Sequence, residues 1–211
     1  MMIKILVADD HAVVRNGLKQ IVSDTPDITV AAEASNGRET LNKALEDDYD
    51  IVLLDITMPD RSGLDILKEI KSQKPELPVL ILSMHPEEQY AVRALKAGAA
   101  GYLTKESAPE ELIRAMRKVA GGGKYVTASL AEKLASLIKT NAEEPLHHAL
   151  SDREYQVLCM IASGKRVKQI ADELMLGVKT ISTYRTRVLR KMTMNNDIEL
   201  TRYAIQNQLV P

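Results

Sequence analysis

Five short, nearly continuous apolar runs alternate with stretches of helical periodicity over the first 122 residues. Continuous apolar character is typical of strands that are buried on both faces of a sheet. The intervening stretches repeat their apolar residues every three or four positions, as amphipathic helices do. The predicted strands cover residues 3–8, 28–34, 50–55, 78–83 and 99–104.

This alternation of five strands with five helices predicts an α/β domain built on one parallel sheet. Right-handed crossovers place the helices on both faces of such a sheet. We therefore predict a doubly wound, five-stranded parallel sheet of the flavodoxin-like type. A run of three glycines, residues 121–123, closes the domain.

Beyond the glycines the pattern changes twice. Residues 127–140 place leucines on one helical face, and the polar, Pro-containing stretch 141–148 predicts a flexible joint. From residue 150 onward only helical periodicity occurs. The predicted organisation is thus a sheet domain over 1–122, a linker with a helix over 123–148 and a small all-α domain over 149–211.

The C-terminal segment has the signals of a helix-turn-helix. Ser151 and Glu154 have capping-box spacing, which predicts a helix that starts near residue 152. A basic stripe on a helix is most often only a solvated face. Here, however, a short turn joins the basic helix to a preceding amphipathic one, which favours a recognition helix for the major groove. The further predicted helices cover residues 166–174, 178–192 and 197–207.

Charge separates the two halves more sharply than the net charge of −1 suggests. Residues 1–122 hold 15 Lys and Arg against 20 Asp and Glu, whereas residues 149–211 hold 10 against 6. Residues 178–192 alone carry five basic residues and no acid. The basic half is therefore the one expected to contact nucleic acid.

Other compositional features narrow the class of protein. The single cysteine, Cys159, excludes an internal disulfide, and with four histidines the chain lacks the spacing of a zinc site. No apolar run approaches the roughly 20 residues of a membrane span. The N-terminal segment also lacks the features of a signal peptide. We expect a cytoplasmic protein without a membrane partner.

Polar residues follow the predicted strands where each strand ends. Asp9 and Asp10 follow the first strand, Asp55 ends the third, Ser83 ends the fourth and Lys105 follows the fifth. In an open parallel sheet, ligands bind outside the carboxyl ends of the strands, beside the point where the strand order reverses. A lone Asp at such a position most often caps the next segment, but five polar groups at one edge indicate a site.

The acids of this edge require a cation. Two carboxylates about 4 Å apart repel each other by about 4 kcal/mol at an effective dielectric constant near 20. Mg²⁺ accepts carboxylate and phosphate oxygens as ligands, and Lys105 supplies a second positive charge. An aspartate in such surroundings can act as the nucleophile of phosphoryl transfer. We therefore predict that Asp55 is phosphorylated.

Three alternatives remain beside this interpretation. A phosphatase of the haloacid dehalogenase type requires a second Asp two residues after the nucleophile, where Thr57 stands. A flavin carrier shares the fold, but the chain has no Trp or Phe to stack on the flavin and no Gly/Ser/Thr-rich loop after the first strand. A third alternative keeps the same architecture but lacks phosphorylation, and the complete set of acids argues against it.

Residues 2–122 resemble the receiver domain of bacterial two-component response regulators. The motifs that carry the resemblance are ADDH at 8–11, LLDITMP at 53–59, LS at 82–83 and YLTK at 102–105. The resemblance implies a phosphoacceptor domain with a sensor histidine kinase or a phosphotransfer protein as its partner. It implies no enzyme activity beyond self-phosphorylation and self-dephosphorylation.

The same resemblance assigns roles to individual residues. Asp55 corresponds to the phosphoacceptor and Lys105 to the lysine that pairs with the phosphoryl group. Ser83 and Tyr102 correspond to the switch residues. Met84 stands where a small residue is common, and we hypothesise that it shields the acyl phosphate and lengthens its life. The implied Mg²⁺ ligands are Asp9, Asp10, Asp55 and the backbone carbonyl of Thr57.

Residues 150–210 resemble the LuxR-type helix-turn-helix of the NarL/FixJ family, through LSDRE, ASGK, QIADEL and KTIS. The implied partner is double-stranded DNA. Asp197 stands where the family often has Arg, and we expect it to cap the last helix. By this resemblance, Ser182, Thr183 and Thr186 are expected to face the base edges of the DNA. The residues expected to contact DNA phosphates are Lys179, Arg185, Arg187, Arg190 and Lys191, and Thr180 is expected in the same interface.

The implied function is transcriptional regulation controlled by phosphorylation. Half-site geometry and the family resemblance favour a homodimer on repeated DNA half-sites, formed on phosphorylation. RNA polymerase is counted among the candidate partners. The last helix is either the dimer face or part of the core, through Leu200, Tyr203, Ala204 and Leu209.

Overall fold

The computed structural model describes residues 2–139 and 145–210. Residues 140–144, which include part of the predicted joint, lie outside the described residues. The chain divides into two compact units, Met1–Leu134 and Ala135–Pro211. No described helix is both long and apolar enough to cross a membrane.

The first unit is built on one five-stranded parallel sheet with the order β2-β1-β3-β4-β5. The predicted doubly wound class is therefore confirmed. The strands are β1 (Ile3–Ala8), β2 (Ile28–Ala34), β3 (Ile51–Leu54), β4 (Val79–Ser83) and β5 (Gly101–Thr104). The helices are α1 (Ala12–Ser23), α2 (Gly37–Glu46), α3 (Gly63–Gln73), α4 (Glu87–Lys96) and α5 (Pro109–Ala120), and α6 (Ala128–Lys139) follows them.

The strand order reverses beside β1, and this reversal positions the acidic residues. The chain passes from β1 to β2 on one side and then returns to place β3 on the other side of β1. Ala8 is in register with Leu54, and the backbone N–H of Asp55 donates to the carbonyl of Ala8 at 2.9 Å. The residues that follow β1 and β3 therefore emerge at the same edge, where such sheets form their crevice.

The apolar character of the strands follows from their burial on both faces. Every residue of β3 is at most 1% exposed, as a strand covered by helices on both sides requires. One of the clusters that pack against the sheet joins side chains of α1 and α5 to β1, β3 and β4, with Leu18, Leu112 and Met116 among them. This packing gives a rigid base to the loops at the carboxyl ends.

The segment after α5 packs on the edge of the sheet before α6 begins. Tyr125 donates its backbone N–H to the carbonyl of Ala100 at 2.8 Å. A Cβ on Gly101 would lie 2.6 Å from the Tyr125 carbonyl oxygen, so this close approach requires glycine. The Thr127 hydroxyl accepts from the N–H of Leu130 at 3.2 Å and donates to the Glu87 carboxylate at 2.6 Å. The start of α6 is thus bonded to the first residue of α4.

The second unit contains helices alone within its described residues. The predicted capping box is confirmed, since the Ser151 hydroxyl accepts from the N–H of Glu154 and the Glu154 carboxylate accepts from the N–H of Ser151. The side chains of Val157, Ile170 and Ile181 pack into one core, which joins the three consecutive α-helices that carry them. The elements are a 3-10 helix (Leu146–Ala149), α7 (Asp152–Ala162), α8 (Val167–Glu173), α9 (Val178–Lys191) and α10 (Asp197–Gln206).

The start of α10 differs from the expectation. Asn196, rather than Asp197, caps this helix by accepting from the N–H of Glu199 at 3.0 Å. Asp197 is the first helical residue and pairs instead with Arg185. The expectation that Asp197 caps the helix is therefore wrong, because an ion pair across the two helices engages its carboxylate.

The sequence analysis leaves the last helix either as a dimer face or as part of the core. In the structure, its buried residues pack in the core of the second unit. Leu200 and Ala204 are fully buried and Leu209 nearly so, and α10 packs against α7. The Tyr203 hydroxyl lies 2.9 Å from Nδ1 of His147 in the 3-10 helix. The opposite face of α10 exposes Ile198.

Candidate functional site

Three aspartates and a histidine meet at the carboxyl edge of the sheet. Asp9 and Asp10 follow β1, and Asp55 follows β3. One ligand atom from each of Asp9, Asp10, His11 and Asp55 lies within 4.8 Å of the others. Asp9 and Asp55 are only 2% and 3% exposed, so water screens their charges poorly.

Lys105 lies between the two buried acids. Its Nζ is 2.5 Å from Asp9 Oδ2 and 2.8 Å from Asp55 Oδ2. Burial lowers the pKa of Lys105, but the adjacent Asp55 and Asp9 outweigh this effect and raise the pKa overall. Burial also raises the pKa of Asp55 to about 6, against the opposing effect of Lys105. When all three acids are ionised, this single lysine leaves two negative charges uncompensated.

The donor set fits a hard divalent cation. Asp10 Oδ1 is buried and accepts no hydrogen bond from the described residues, although His11 Nδ1 lies 2.8 Å away. Carboxylate oxygens gathered this closely, with more negative charge than Lys105 compensates, are an arrangement that a bound cation would complete. The sequence analysis did not assign His11, whose only signal is its place directly after the acid pair.

The loop after β3 folds back over Asp55. The N–H of Thr57 donates to Asp55 Oδ1 at 3.1 Å, and the N–H of Gly63 donates to the carbonyl of Ile56 at 2.8 Å. A Cβ on Gly63 would lie 2.1 Å from the Asp55 carbonyl oxygen. Only glycine allows α3 to begin this close to the acidic residue.

Ser83 and Tyr102 are both fully buried next to this loop. The Ser83 hydroxyl accepts from the N–H of His85 at 3.2 Å, and the Tyr102 hydroxyl donates to the carbonyl of His85 at 2.7 Å. The ring Nε2 of His85 is 3.3 Å from the Thr57 hydroxyl. His85, which the sequence analysis missed, thus joins both predicted switch residues to the loop after Asp55.

The basic helix α9 presents a polar face away from its core. Ile181 and Val188 are buried, and the side opposite them is exposed. The Thr183 hydroxyl donates to the carbonyl of Lys179 at 2.9 Å, as the hydroxyls of Ser182 and Thr186 do to carbonyls four residues back. Their oxygen lone pairs remain available as acceptors. The exposed residues predicted to contact DNA are Lys179, Thr180, Ser182, Thr183, Thr186, Arg187, Arg190 and Lys191.

Two of the predicted DNA-contacting cations are paired within the domain. Nε of Arg185 is 2.8 Å from Asp197 Oδ1, and Nζ of Lys191 is 2.6 Å from Glu154 Oε2. Their positive charges are partly neutralised by these partners. One groove on α9 is lined by Ser182, Thr183, Thr186, Arg187 and Arg190.

Comparison with known families and proteins gives matches to both units. Residues 5–117 match the response regulator receiver domain, and residues 148–204 match the bacterial regulatory proteins of the luxR family. Response regulator UvrY of Escherichia coli K12 is 36% identical over 209 residues, which cover 99% of this chain and 96% of that protein. Response regulator GacA of Pseudomonas aeruginosa PAO1 is 35% identical over 214 residues, with 99% and 98% coverage.

Solved structures give the same picture. RcsB from Salmonella enterica serovar Typhimurium, bound to promoter rprA in the presence of phosphomimetic BeF3⁻, aligns with a TM-score of 0.66 and 25% identity. That alignment covers 96% of this chain and 98% of the RcsB chain. A second RcsB–DNA complex aligns over the whole of both chains with a TM-score of 0.61 and 26% identity.

Proposed function

Because the chain belongs to the two-component response regulators that join a receiver domain to a LuxR-type DNA-binding domain, we propose that phosphorylation of Asp55 controls its binding to DNA. The observation that carries this proposal is the buried Asp55 carboxylate, 2.8 Å from Lys105 at the carboxyl edge of the sheet. The phosphoryl donor is a sensor histidine kinase or a phosphotransfer protein. The chain's own chemistry is limited to its phosphorylation and dephosphorylation.

We assign the divalent cation of the acidic site as Mg²⁺. Asp9, Asp10, Asp55 and the backbone carbonyl of Thr57 would hold it, and it would neutralise the oxygens of the transferred group. Lys105 is positioned to pair with a phosphoryl oxygen because it already bonds to Asp55. The close grouping of the Asp9, Asp10 and Asp55 ligand atoms supports the assignment.

The added charge supplies the signal. An aspartyl phosphate brings new negative charge and strong acceptor oxygens beside Ser83, just as phosphorylation of other side chains adds roughly −1.5 to −2 charges. The Ser83 hydroxyl can donate to a phosphoryl oxygen while it still accepts from the N–H of His85, so a movement of Ser83 toward the phosphoryl group would carry His85 with it. Tyr102 is bonded to the same residue, so both switch positions respond together. The outcome is a shift between two existing arrangements of the loop after β4.

The bonded contact between α4 and α6 gives this shift a route to the linker. Glu87 lies four residues after Ser83 and accepts a hydrogen bond from the hydroxyl of Thr127, which caps α6. A movement of the loop therefore acts directly on the start of the linker helix. We retain 1–122, 123–148 and 149–211 as the functional divisions of the chain.

The DNA-binding surface is the exposed face of α9, and the active form is a homodimer. The outward face of α10 carries Ile198 and Ile205, 75% and 53% exposed, which is apolar surface that a second copy would cover. Because its target is DNA, the chain acts in the cytoplasm.

The central experiment uses a small phosphodonor. Acetyl phosphate and Mg²⁺ are expected to add one phosphoryl group to the full chain, measured by intact mass, and to increase its dimerisation and DNA binding. Asp55→Asn should abolish all three responses, whereas Asp48→Asn, a change at a fully exposed aspartate, should leave them intact. Phosphorylation-dependent DNA affinity that persists in Asp55→Asn would refute the proposal. A genome-wide footprint of the bound protein would supply the DNA target.

A matched pair of arginines tests the DNA surface. Arg187→Ala removes an exposed cation of the groove on α9. It should reduce the slope of log K for DNA binding against log[salt] by about 1, the contribution of one phosphate contact. Arg185→Ala removes a cation paired with Asp197, so we expect a smaller change in salt dependence and a larger loss of stability. Equal salt dependence in both variants and the wild type would exclude this face as the phosphate contact.

A further inference from the structure

The loop between β3 and α3 is attached to α2 by the carboxylate of Asp60. Oδ1 of Asp60 accepts from the N–H of Gly37 at 2.7 Å, and Oδ2 accepts from the N–H of Arg38 at 3.0 Å. The same Oδ1 accepts from the N–H of Arg61 at 3.0 Å. One side chain in the middle of the loop thus bonds to two amides at the start of a different helix.

Gly37 leaves the space that this contact needs. A Cβ at position 37 would lie 2.8 Å from Ile66 Cδ1 and 2.9 Å from Asp60 Oδ1. Both atoms belong to the segment that follows Asp55, so α2 and this segment meet without room for a side chain. Because Gly37 has no side chain, the Asp60 carboxylate can approach the start of α2 closely, and the two segments are in direct contact.

The contact is more than an ordinary helix cap. α2 already has its own cap, because Asn36 Oδ1 accepts from the N–H of Glu39 at 2.9 Å. Asp60 adds a second, negatively charged acceptor from a distant part of the chain, at the end of the helix where the macrodipole favours an anion. Burial raises the pKa of Asp60, but the backbone N–H groups outweigh this effect and lower it, so the carboxylate stays charged.

We propose that Asp60 is a positioning residue of the phosphorylation site. It fixes the middle of the loop, whose two ends are held by the bonds from Thr57 to Asp55 and from Gly63 to Ile56. With Asp60 bonded to α2, the Thr57 segment keeps the conformation that the cation site requires. This role rests on the proposed function, in which Thr57 contributes a ligand.

The test compares two changes at the same helix end. Asp60→Ala and Asn36→Ala each remove acceptors from the start of α2, and each should lower the melting temperature of the metal-free chain by a few degrees. Asp60→Ala should also weaken Mg²⁺ binding about tenfold, as loss of a residue that orients ligands does. Asn36→Ala should bind Mg²⁺ with wild-type affinity, and Asp60→Asn, which keeps an acceptor oxygen, should recover part of the loss. Isothermal titration calorimetry on the full chain measures these affinities.

Hydrogen exchange supplies a second measurement for variants that are too unstable to titrate. The peptide that contains residues 56–59 should exchange faster in Asp60→Asn than in Asn36→Ala, both without metal. A wild-type Mg²⁺ affinity in Asp60→Ala, despite its lower melting temperature, would reduce Asp60 to a helix cap and overturn the positioning role. A wild-type chain that binds no Mg²⁺ would instead contradict the proposed function itself.

Discussion

Replacement of Asp55 by Asn should stabilise the metal-free protein at neutral pH. Burial raises the pKa of Asp55 from its ordinary 3.8 to about 6. The native state therefore holds this proton more tightly than the unfolded chain does. The resulting stabilisation is complete below pH 3.8 and is lost as the pH rises through 6. Above that pH the protein carries a buried carboxylate whose ionised form disfavours folding.

The size of the effect follows from the shift. A difference of about two pKa units corresponds to about 3 kcal/mol, at about 1.36 kcal/mol for each unit. Asp55 is only 3% exposed, so screening by solvent reduces this little. Asparagine keeps the shape of the side chain and removes the charge, while Lys105 retains Asp9 as a partner. We expect Asp55→Asn to gain about 2–3 kcal/mol at pH 7.5 and almost nothing at pH 4.

Differential scanning calorimetry in a chelating buffer measures this difference, with exposed Asp48→Asn as the control. Addition of Mg²⁺ at a hundred times its Kd should stabilise the wild type by about 2.7 kcal/mol and so close most of the gap. The Asn variant should respond less because one ligand has lost its charge. An Asn variant that is no more stable than the wild type at pH 7.5, or a gain that increases on acidification, would refute the electrostatic reasoning.

Three further predictions concern the packing, the route of the signal and its duration. Gly63→Ala should destabilise the first unit by more than about 2 kcal/mol in urea unfolding, because the added Cβ would overlap a backbone oxygen. Gly17→Ala is the control: a Cβ there would have no neighbouring atom within 4 Å, so this change should be neutral or slightly stabilising. Thr127→Val removes the hydroxyl that bonds to Glu87 of α4. The variant should gain less DNA affinity on addition of beryllofluoride, while its basal DNA affinity stays unchanged. An undiminished gain would exclude this contact as the route by which the signal reaches the linker. Met84→Ala should shorten the half-life of the acyl phosphate, followed by intact mass, whereas Met175→Ala, at another exposed methionine in the second unit, should not. Equal half-lives in Met84→Ala and the wild type would discard the shielding hypothesis.

The sheet and its functional edge could be predicted because both follow from simple periodicity. Buried parallel strands are continuously apolar, and all of them end at the same edge. The predicted strand over 50–55 corresponds to Ile51–Leu54, and the structure brings Asp9, Asp10 and Asp55 together where the sequence analysis expected them. Convergence of the acids also requires β1 and β3 to be neighbours, which the flavodoxin-like strand order provides.

The side-chain partners at that edge could not be predicted, because they depend on loop conformations that have no period. His85 joins Ser83, Tyr102 and Thr57, yet its position in the sequence resembles that of any residue in a short loop. The anchoring of the 56–62 loop by Asp60 is equally hidden, since its acceptors and the amides of α2 are more than 20 residues apart.

The DNA-binding helix shows the same limit in its charges. Periodicity predicted a basic helix over residues 178–192, which corresponds to α9, but it could not distinguish among the five cations of that helix. The structure separates them, because Asp197 lies 12 residues from Arg185 and Glu154 lies 37 residues from Lys191. Asn196 and Asp197 are both suitable caps by type, and the ion pair with Arg185 decides between them. Local rules identify what a residue can do, and tertiary contacts select among the options.

The acidic site and the switch contacts together explain how a small chemical event could reach the linker. Without phosphate, Lys105 is shared between Asp9 and Asp55, and the Ser83 hydroxyl is engaged by His85. A phosphoryl group on Asp55 would compete with the carboxylates for Lys105 and would accept the free O–H of Ser83, because its oxygens are strong charged acceptors. The loop after β4 would then move with Ser83, through the bond from the N–H of His85, while its far end remains attached to α6. Under the proposed function, the new charge acts on α6 through a loop of only three residues, 84–86. Loss of the single Thr127 hydroxyl should therefore uncouple phosphorylation from the linker helix.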